Sequence, residues 1–170
     1  KVVSVLMIVA SGCVGEKRRE WKGLDTYFEE SLPSARYAHS SAFDSRINLM
    51  YIFGGETFSG TSNELFGLRI SPSLVLNLTL SSAPLPRIHS GAACSNGFLF
   101  IFGGSSAERA PLGDLHQYSP IEMKWTNITN LVSGNVPPPR YGHGFISALA
   151  PQGLGNDTWL YLFGGRGQNG

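Results

Sequence analysis

The chain has 170 residues with 13 Lys+Arg against 12 Asp+Glu, and a formal charge of +1 supplies no field that would recruit a nucleic acid or an anionic membrane surface. Hydrophobic residues make up 42% and charged residues only 15%, which excludes a disordered chain and implies an extensively buried one. With 21 Gly, 10 Pro and 11% aromatics, the composition excludes a helical protein and fits an all-β chain of short strands joined by tight turns.

At the start of the chain, Val2 to Ala10 form an apolar run broken by a single hydroxyl, Ser4. As a helix the run is too short to cross about 30 Å of hydrocarbon, so no transmembrane span is expected here. Ala10 and Gly12 place small residues three and one positions before Cys13, the pattern a signal peptidase accepts. The expectation is a secretory signal over residues 1–12 and a secreted or extracellular chain from residue 13. The alternatives are a lipoprotein box ending at Cys13, or a strand in a cytoplasmic protein. Cys13 and Cys94 sit in no metal-ligand spacing, so neither a disulfide framework nor a metal site is expected. Asn77-Leu78-Thr79, Asn127-Ile128-Thr129 and Asn156-Asp157-Thr158 are N-glycosylation sequons, usable only in a secretory pathway.

The rest of the chain repeats. Phe53-Gly54-Gly55, Phe102-Gly103-Gly104 and Phe163-Gly164-Gly165 each close an apolar run, and Arg36, Arg87 and Arg140 each stand upstream in a turn that carries proline. Trp21 lies 15 residues before Arg36, as Trp125 lies 15 before Arg140, so Arg19 to Leu24 reads as the last strand of a repeat with no unit of its own. The first unit then holds strands near His39–Phe43, Leu49–Phe53, Glu64–Leu68 and Leu74–Thr79. In the second they lie near Ser90–Ser95, Phe98–Phe102, Asp114–Tyr118 and Lys124–Thr129, with Asn96-Gly97 as the turn between the first two. The third shows Gly144–Leu149 and Thr158–Phe163. The glycine pairs permit positive φ and close backbone approach, a structural role.

An arginine in a proline-bearing turn, a following His or small residue, a strand ending Phe-Gly-Gly, an acidic-Leu-aromatic strand and a later Trp resemble the kelch repeat from about Trp21 to Gly165. The resemblance implies a kelch-type β-propeller, here with two full four-stranded blades (36–80 and 87–130), half of a third (140–170) and an N-terminal outer strand. Val75 stands where the second unit has Trp125, so the first outer strand is expected to be the looser. Trp21 lies only nine positions after Gly12, too few for an intact blade, which argues against Val2 to Ala10 as a strand.

The resemblance also implies a function class. Linkers bearing Arg36, Arg87 and Arg140 crowd one mouth of a propeller channel, where guanidinium groups suit an acidic peptide or another carboxylate. The opposing expectation is that each arginine binds carbonyls or the acidic residue of an adjacent blade. His39 and His143 share one repeat position and Glu64 and Asp114 another, which points to scaffold roles. No catalytic residue, metal or cofactor is expected. The leading reading is a non-enzymatic scaffold for a protein or glycan partner. The alternative is the propeller of a secreted enzyme, of the copper-radical oxidase or sialic-acid mutarotase type; for the oxidase, Cys94 is the only candidate thiol within the repeats.

Overall fold

The computed structural model describes residues 6–8, 21–23, 32–69, 73–151 and 157–168, the first two segments as backbone only. In chain order the strands are β1 (Leu6–Ile8), β2 (Trp21–Gly23), β3 (Arg36–Tyr37), β4 (Ser40–Asp44), β5 (Leu49–Phe53), β6 (Glu56–Thr57), β7 (Gly60–Thr61), β8 (Leu65–Arg69) and β9 (Leu74–Asn77). They continue as β10 (Gly91–Ser95), β11 (Phe98–Ser105), β12 (Pro111–Ser119), β13 (Lys124–Asn127), β14 (Gly144–Leu149) and β15 (Thr158–Phe163). Two four-stranded antiparallel sheets, β4-β5-β8-β9 and β10-β11-β12-β13, are the first and second blades. β14 and β15 pair as the first half of a third. Every strand expected of the repeat is present within a few residues of its predicted bounds.

Local chemistry fixes each hairpin. Ser95 opposes Phe98, leaving Asn96 and Gly97 as a two-residue turn with φ of 48° and 88°. Two positive φ values match the right-handed twist of the flanking strands, and Asn and Gly tolerate them best. Along β5 alternate side chains face opposite ways, which sends Leu49, Tyr51 and Phe53 into one core with Leu99, Ile101, Tyr118 and Trp125 of the second blade.

The Phe-Gly-Gly motif follows from how blades meet. A Cβ on Gly54 would lie 2.6 Å from the Arg87 carbonyl oxygen, and one on Gly103 would lie 2.5 Å from that of Arg140. The second glycine of each pair lies beneath the residue three after an arginine, Gly55 under His39, Gly104 under Ser90 and Gly165 under His143: a Cβ added to each glycine would lie 2.8 to 3.0 Å from the Cβ above it. All six glycines have positive φ, so a side chain at any of them would be strained, and at all but Gly164 it would be crowded as well.

Two expectations are corrected. The first blade's outer strand is not loose: β8 and β9 share four residue pairs, as β12 and β13 do, and Val75 is buried. On the opposite face of β9 from Val75, Leu76 packs with Leu78 and Leu80 against the core shared with the second blade, Leu78 closing over Gly67. Nor is the Trp21 strand an orphan. Leu6–Ile8 pairs with it antiparallel, Ile8 opposite Trp21, which is the register of Tyr118 opposite Trp125 and of Leu68 opposite Val75. The spacing objection applies to a whole blade, whereas the third and fourth strands of one need only the connection 9–20. The remaining residues of the expected signal segment, and Cys13, lie outside the described residues.

Candidate functional site

The three repeat arginines share one geometry. Nε donates to the carbonyl two residues back: Arg36 to Ser34 at 3.2 Å, Arg87 to Leu85 at 3.0 Å and Arg140 to Pro138 at 3.1 Å. Nη1 donates to the first glycine carbonyl of the same unit: Gly54 at 2.9 Å, Gly103 at 3.0 Å and Gly164 at 2.9 Å. In the first two units the remaining donors meet the acid of the third strand, Arg36 to Glu64 at 2.8 Å and Arg87 two-pronged to Asp114 at 2.7 and 2.8 Å. Meanwhile the backbone of Arg87 binds the preceding blade, donating to Ser62 at 3.1 Å and accepting from Gly55 at 2.9 Å. Arg140 repeats this with Leu112 and Gly104. Each of these two arginines therefore braces two consecutive units.

For Arg36 and Arg87 this geometry favours the opposing expectation, that the arginines bind carbonyls and an acidic residue, while Arg140 makes its carbonyl contacts in an exposed setting. The side chain of Arg87 is 0% exposed and that of Arg36 is 4% exposed. The turn before each arginine folds the side chain back on its own carbonyls, and a buried guanidinium needs those partners. Burial alone would raise the Asp114 carboxyl, but Arg87 and His116, the latter at 2.7 Å, hold it well below the usual carboxylate range. His116 takes the place of Phe66, over whose ring the Arg36 guanidinium stacks at 5.1 Å.

With the arginines turned inward, the residues just after them form the rim. Ala38, His89 and Gly142 occupy one repeat position and all have positive φ, at 55°, 54° and 66°. They are linked from unit to unit, the His89 N–H donating to Ala38 at 2.8 Å and the Gly142 N–H to His89 at 2.9 Å. Tyr37, Ile88 and Tyr141 precede them and pair respectively with Glu56, Ser105 and Arg166. His89 is exposed, its ring centroid 6.3 Å from that of Tyr141. An open recess of about 390 Å³ lies against His89, Tyr141, Gly142, Gly165 and Arg166. A histidine held at left-handed φ costs about 1–2 kcal/mol relative to glycine, and such strain concentrates at functional positions. Aligning the units puts His89 on Gly142, which is the sequence signal for this position.

The other candidates are scaffold in their surroundings. Burial and the nearby arginine lower the imidazole pKa of both His39 and His143, and each lies over the second glycine of its motif. Burial pushes the Cys94 thiol up to about 12, so it is not a ready nucleophile. Among the described residues no three of His, Cys, Asp and Glu are gathered as a ligand set. Nor is any helix among them long and apolar enough to cross a membrane. Asn77 and Asn127 are exposed, and their sequon threonines have a structural use: the Thr79 and Thr129 hydroxyls accept the N–H of Leu65 and Leu115 at 3.1 and 2.8 Å. Asn156 lies outside the described residues.

Comparison with known proteins gives the wider setting. The sequence model of the KLHDC2/KLHL20/DRC7 kelch-repeats domain matches residues 13–170. A Rho GTPase-activating protein of Dictyostelium discoideum, gacHH, is 36% identical over 68% of this chain and 8% of its own length. Human multiple epidermal growth factor-like domains protein 8 is 30% identical over 78% of this chain and 4% of its own. The human Rab9 effector protein with kelch motifs is 30% identical over 76% of this chain and 34% of its own. The chain thus spans between 4% and 34% of the length of these relatives.

Proposed function

The chain belongs to the kelch-repeat family, and from that premise we propose that it is a non-enzymatic protein-binding module whose contact surface is the rim of His89, Tyr141 and Arg166. Kelch repeats serve protein–protein interaction, and one relative is named an effector of Rab9. The observation that carries the choice of surface is His89 held exposed at a left-handed φ where the neighbouring units have Ala38 and Gly142. Folding gains nothing from a bulky side chain there, so its use is outward.

The chemistry of the rim favours an acidic peptide. Arg166 presents a guanidinium, Tyr141 a ring and a hydroxyl, and His89 a second ring, all beside one recess. A carboxylate accepts from the guanidinium while the peptide's apolar parts lie on the rings. The test is a fluorescence titration of acidic peptides and of their Asn/Gln counterparts against the wild-type chain, His89→Gly and Arg166→Ala. Preference for the acidic peptides, with at least about a tenfold loss in each variant and no loss of thermal stability in His89→Gly, is the expected result. Equal affinity for both peptide sets, or binding untouched by either substitution, rejects the proposal.

A further inference from the structure

His143 ends the linker that carries the rim residues Tyr141 and Gly142, and its ring is pressed into the seam between the second blade and the third unit. It is 9% exposed, and neither ring nitrogen has a hydrogen-bond partner among the described residues. Glycines make the room: a Cβ on Gly91 would lie 2.5 Å from Nε2, and one on Gly103 would lie 3.3 Å from Cε1. The rings of Phe102 and Phe145 meet it edge to face, with centroids 5.4 and 6.3 Å away. His116 is buried to the same degree but is bonded to Asp114 at 2.7 Å. At the repeat position of His143 the second unit has Ser90, bonded to Ser40 at 3.0 Å, and the first has His39, which is exposed. His143 alone of these is a buried polar ring without a polar contact, an arrangement that costs free energy and calls for a reason. An apolar side chain would pack between the phenylalanines as well; what imidazole adds is a proton site near neutral pH.

No carboxylate stands ready to pair with that proton. β10, β11, β14 and β15, which frame the seam, contain no Asp, Glu, Lys or Arg, and their titratable groups are the Cys94 thiol and the Tyr161 phenol. The turns around the ring supply Arg140, Arg166 and His89. Asp114 is occupied by His116 and by Arg87, whose Nη1 also reaches the Gly103 carbonyl at 3.0 Å. Burial and the Arg140 guanidinium therefore hold the imidazole below its ordinary pKa of 6.5, outweighing the Phe102 carbonyl, which favours the charged ring.

We propose that His143 is an acid-sensitive latch: neutral, it seats the linker in the seam, and protonated, it leaves the seam and frees the Tyr141–Gly142 side of the rim. Above pH 6.5 the ring is neutral seated or released, and the latch holds. As pH falls below that value the released ring takes a proton that the seated ring refuses. Each pH unit then raises the released fraction by up to about tenfold, until the seated ring is protonated too. The bond broken on release is that from the Gly142 N–H to the His89 carbonyl, 2.9 Å long. The latch stands whatever the rim binds; only its effect on binding rests on the proposed rim.

The test is nuclear magnetic resonance of the chain between pH 7 and pH 5, with no peptide present. It follows the His143 ring and the exchange protection of two equivalent amides, Gly142 in this seam and His89, which donates to Ala38 in the preceding one. The expected result is a ring that titrates below 6.5 and a loss of Gly142 protection of about tenfold or more, with His89 protection unchanged. In His143→Ser, the residue of the second unit at this position, the pH dependence at Gly142 is expected to vanish. A ring titrating at or above 6.5, Gly142 protection that does not change with pH, a loss shared equally by His89, or the same loss in His143→Ser overturns the proposal.

Discussion

The seam between the first and second blades and the seam between the second blade and the β14–β15 pair use the same repeat positions, but only the first is filled. Phe53 packs on Trp125, and Tyr51 meets Tyr118 with ring centroids 6.2 Å apart. In the second seam Phe102 has Phe145 at 6.1 Å and His143 at 5.4 Å, with an apolar groove beside them. The difference teaches that a blade face is completed by the outer strand of the next unit. The inner strands of β14–β15 are enough to bury Phe102 and leave the space toward Leu115 open.

Truncating the aromatics tests this most severely. Trp125→Ala is expected to lower unfolding free energy by about 3–5 kcal/mol, the usual cost of emptying a large buried site. Trp159→Ala, at 42% exposure, is expected to cost less than about 1 kcal/mol in dilute solution. Urea melts separate the two.

The arginines sharpen the same contrast, since burial falls from Arg87 to Arg140 while the backbone role stays. Arg87→Met leaves Asp114 without its two-pronged partner and is expected to cost about 3–5 kcal/mol. Arg140→Met removes two carbonyl contacts in an exposed setting and is expected to cost about 1 kcal/mol or less. Equal losses in thermal melts would contradict the brace. Acid acts on the same pair. The folded Asp114 pKa lies below the unfolded one, so its contribution is complete above the unfolded value of about 3.9 and is lost as pH falls toward the folded value. Wild-type stability should therefore fall below about pH 4 more steeply than that of Arg87→Met/Asp114→Leu, which lacks the pair.

The sequence carried the repeat well because its signals are local. Asn96-Gly97 encodes a turn, the Phe-Gly-Gly pairs encode backbone approach, and the strand bounds follow from alternation between them. Side-chain direction was less legible. An arginine in a mouth-side turn reads equally as a ligand group or a brace, and the choice is made by carbonyls and carboxylates 16 to 28 residues away. The residues of the rim carry no motif of their own, and the alignment of His89 with Gly142 gains its meaning only when the φ of that position is known. At the N-terminus a nine-residue apolar run satisfies a signal core and a strand alike, and only the pairing of Ile8 with Trp21 brings out its blade register.

The smallest expected effect lies inside the filled seam. The hydroxyls of Tyr51 and Tyr118 are buried with no hydrogen-bond partner among the described residues, and burial raises the pKa of both phenols. A buried hydroxyl with no partner has lost its water hydrogen bonds without replacement, so the ring supplies the packing and the oxygen opposes it. Tyr51→Phe and Tyr118→Phe are each expected to leave stability within about 0.5 kcal/mol of wild type or to raise it by up to about 1 kcal/mol in urea melts. A loss above about 1.5 kcal/mol would mean that the hydroxyl is bonded in solution, making this seam a polar network rather than an apolar contact. The exposed face of β15 offers the control: Tyr161 donates to the Leu149 carbonyl at 3.3 Å, so Tyr161→Phe should register only the weak bond it removes.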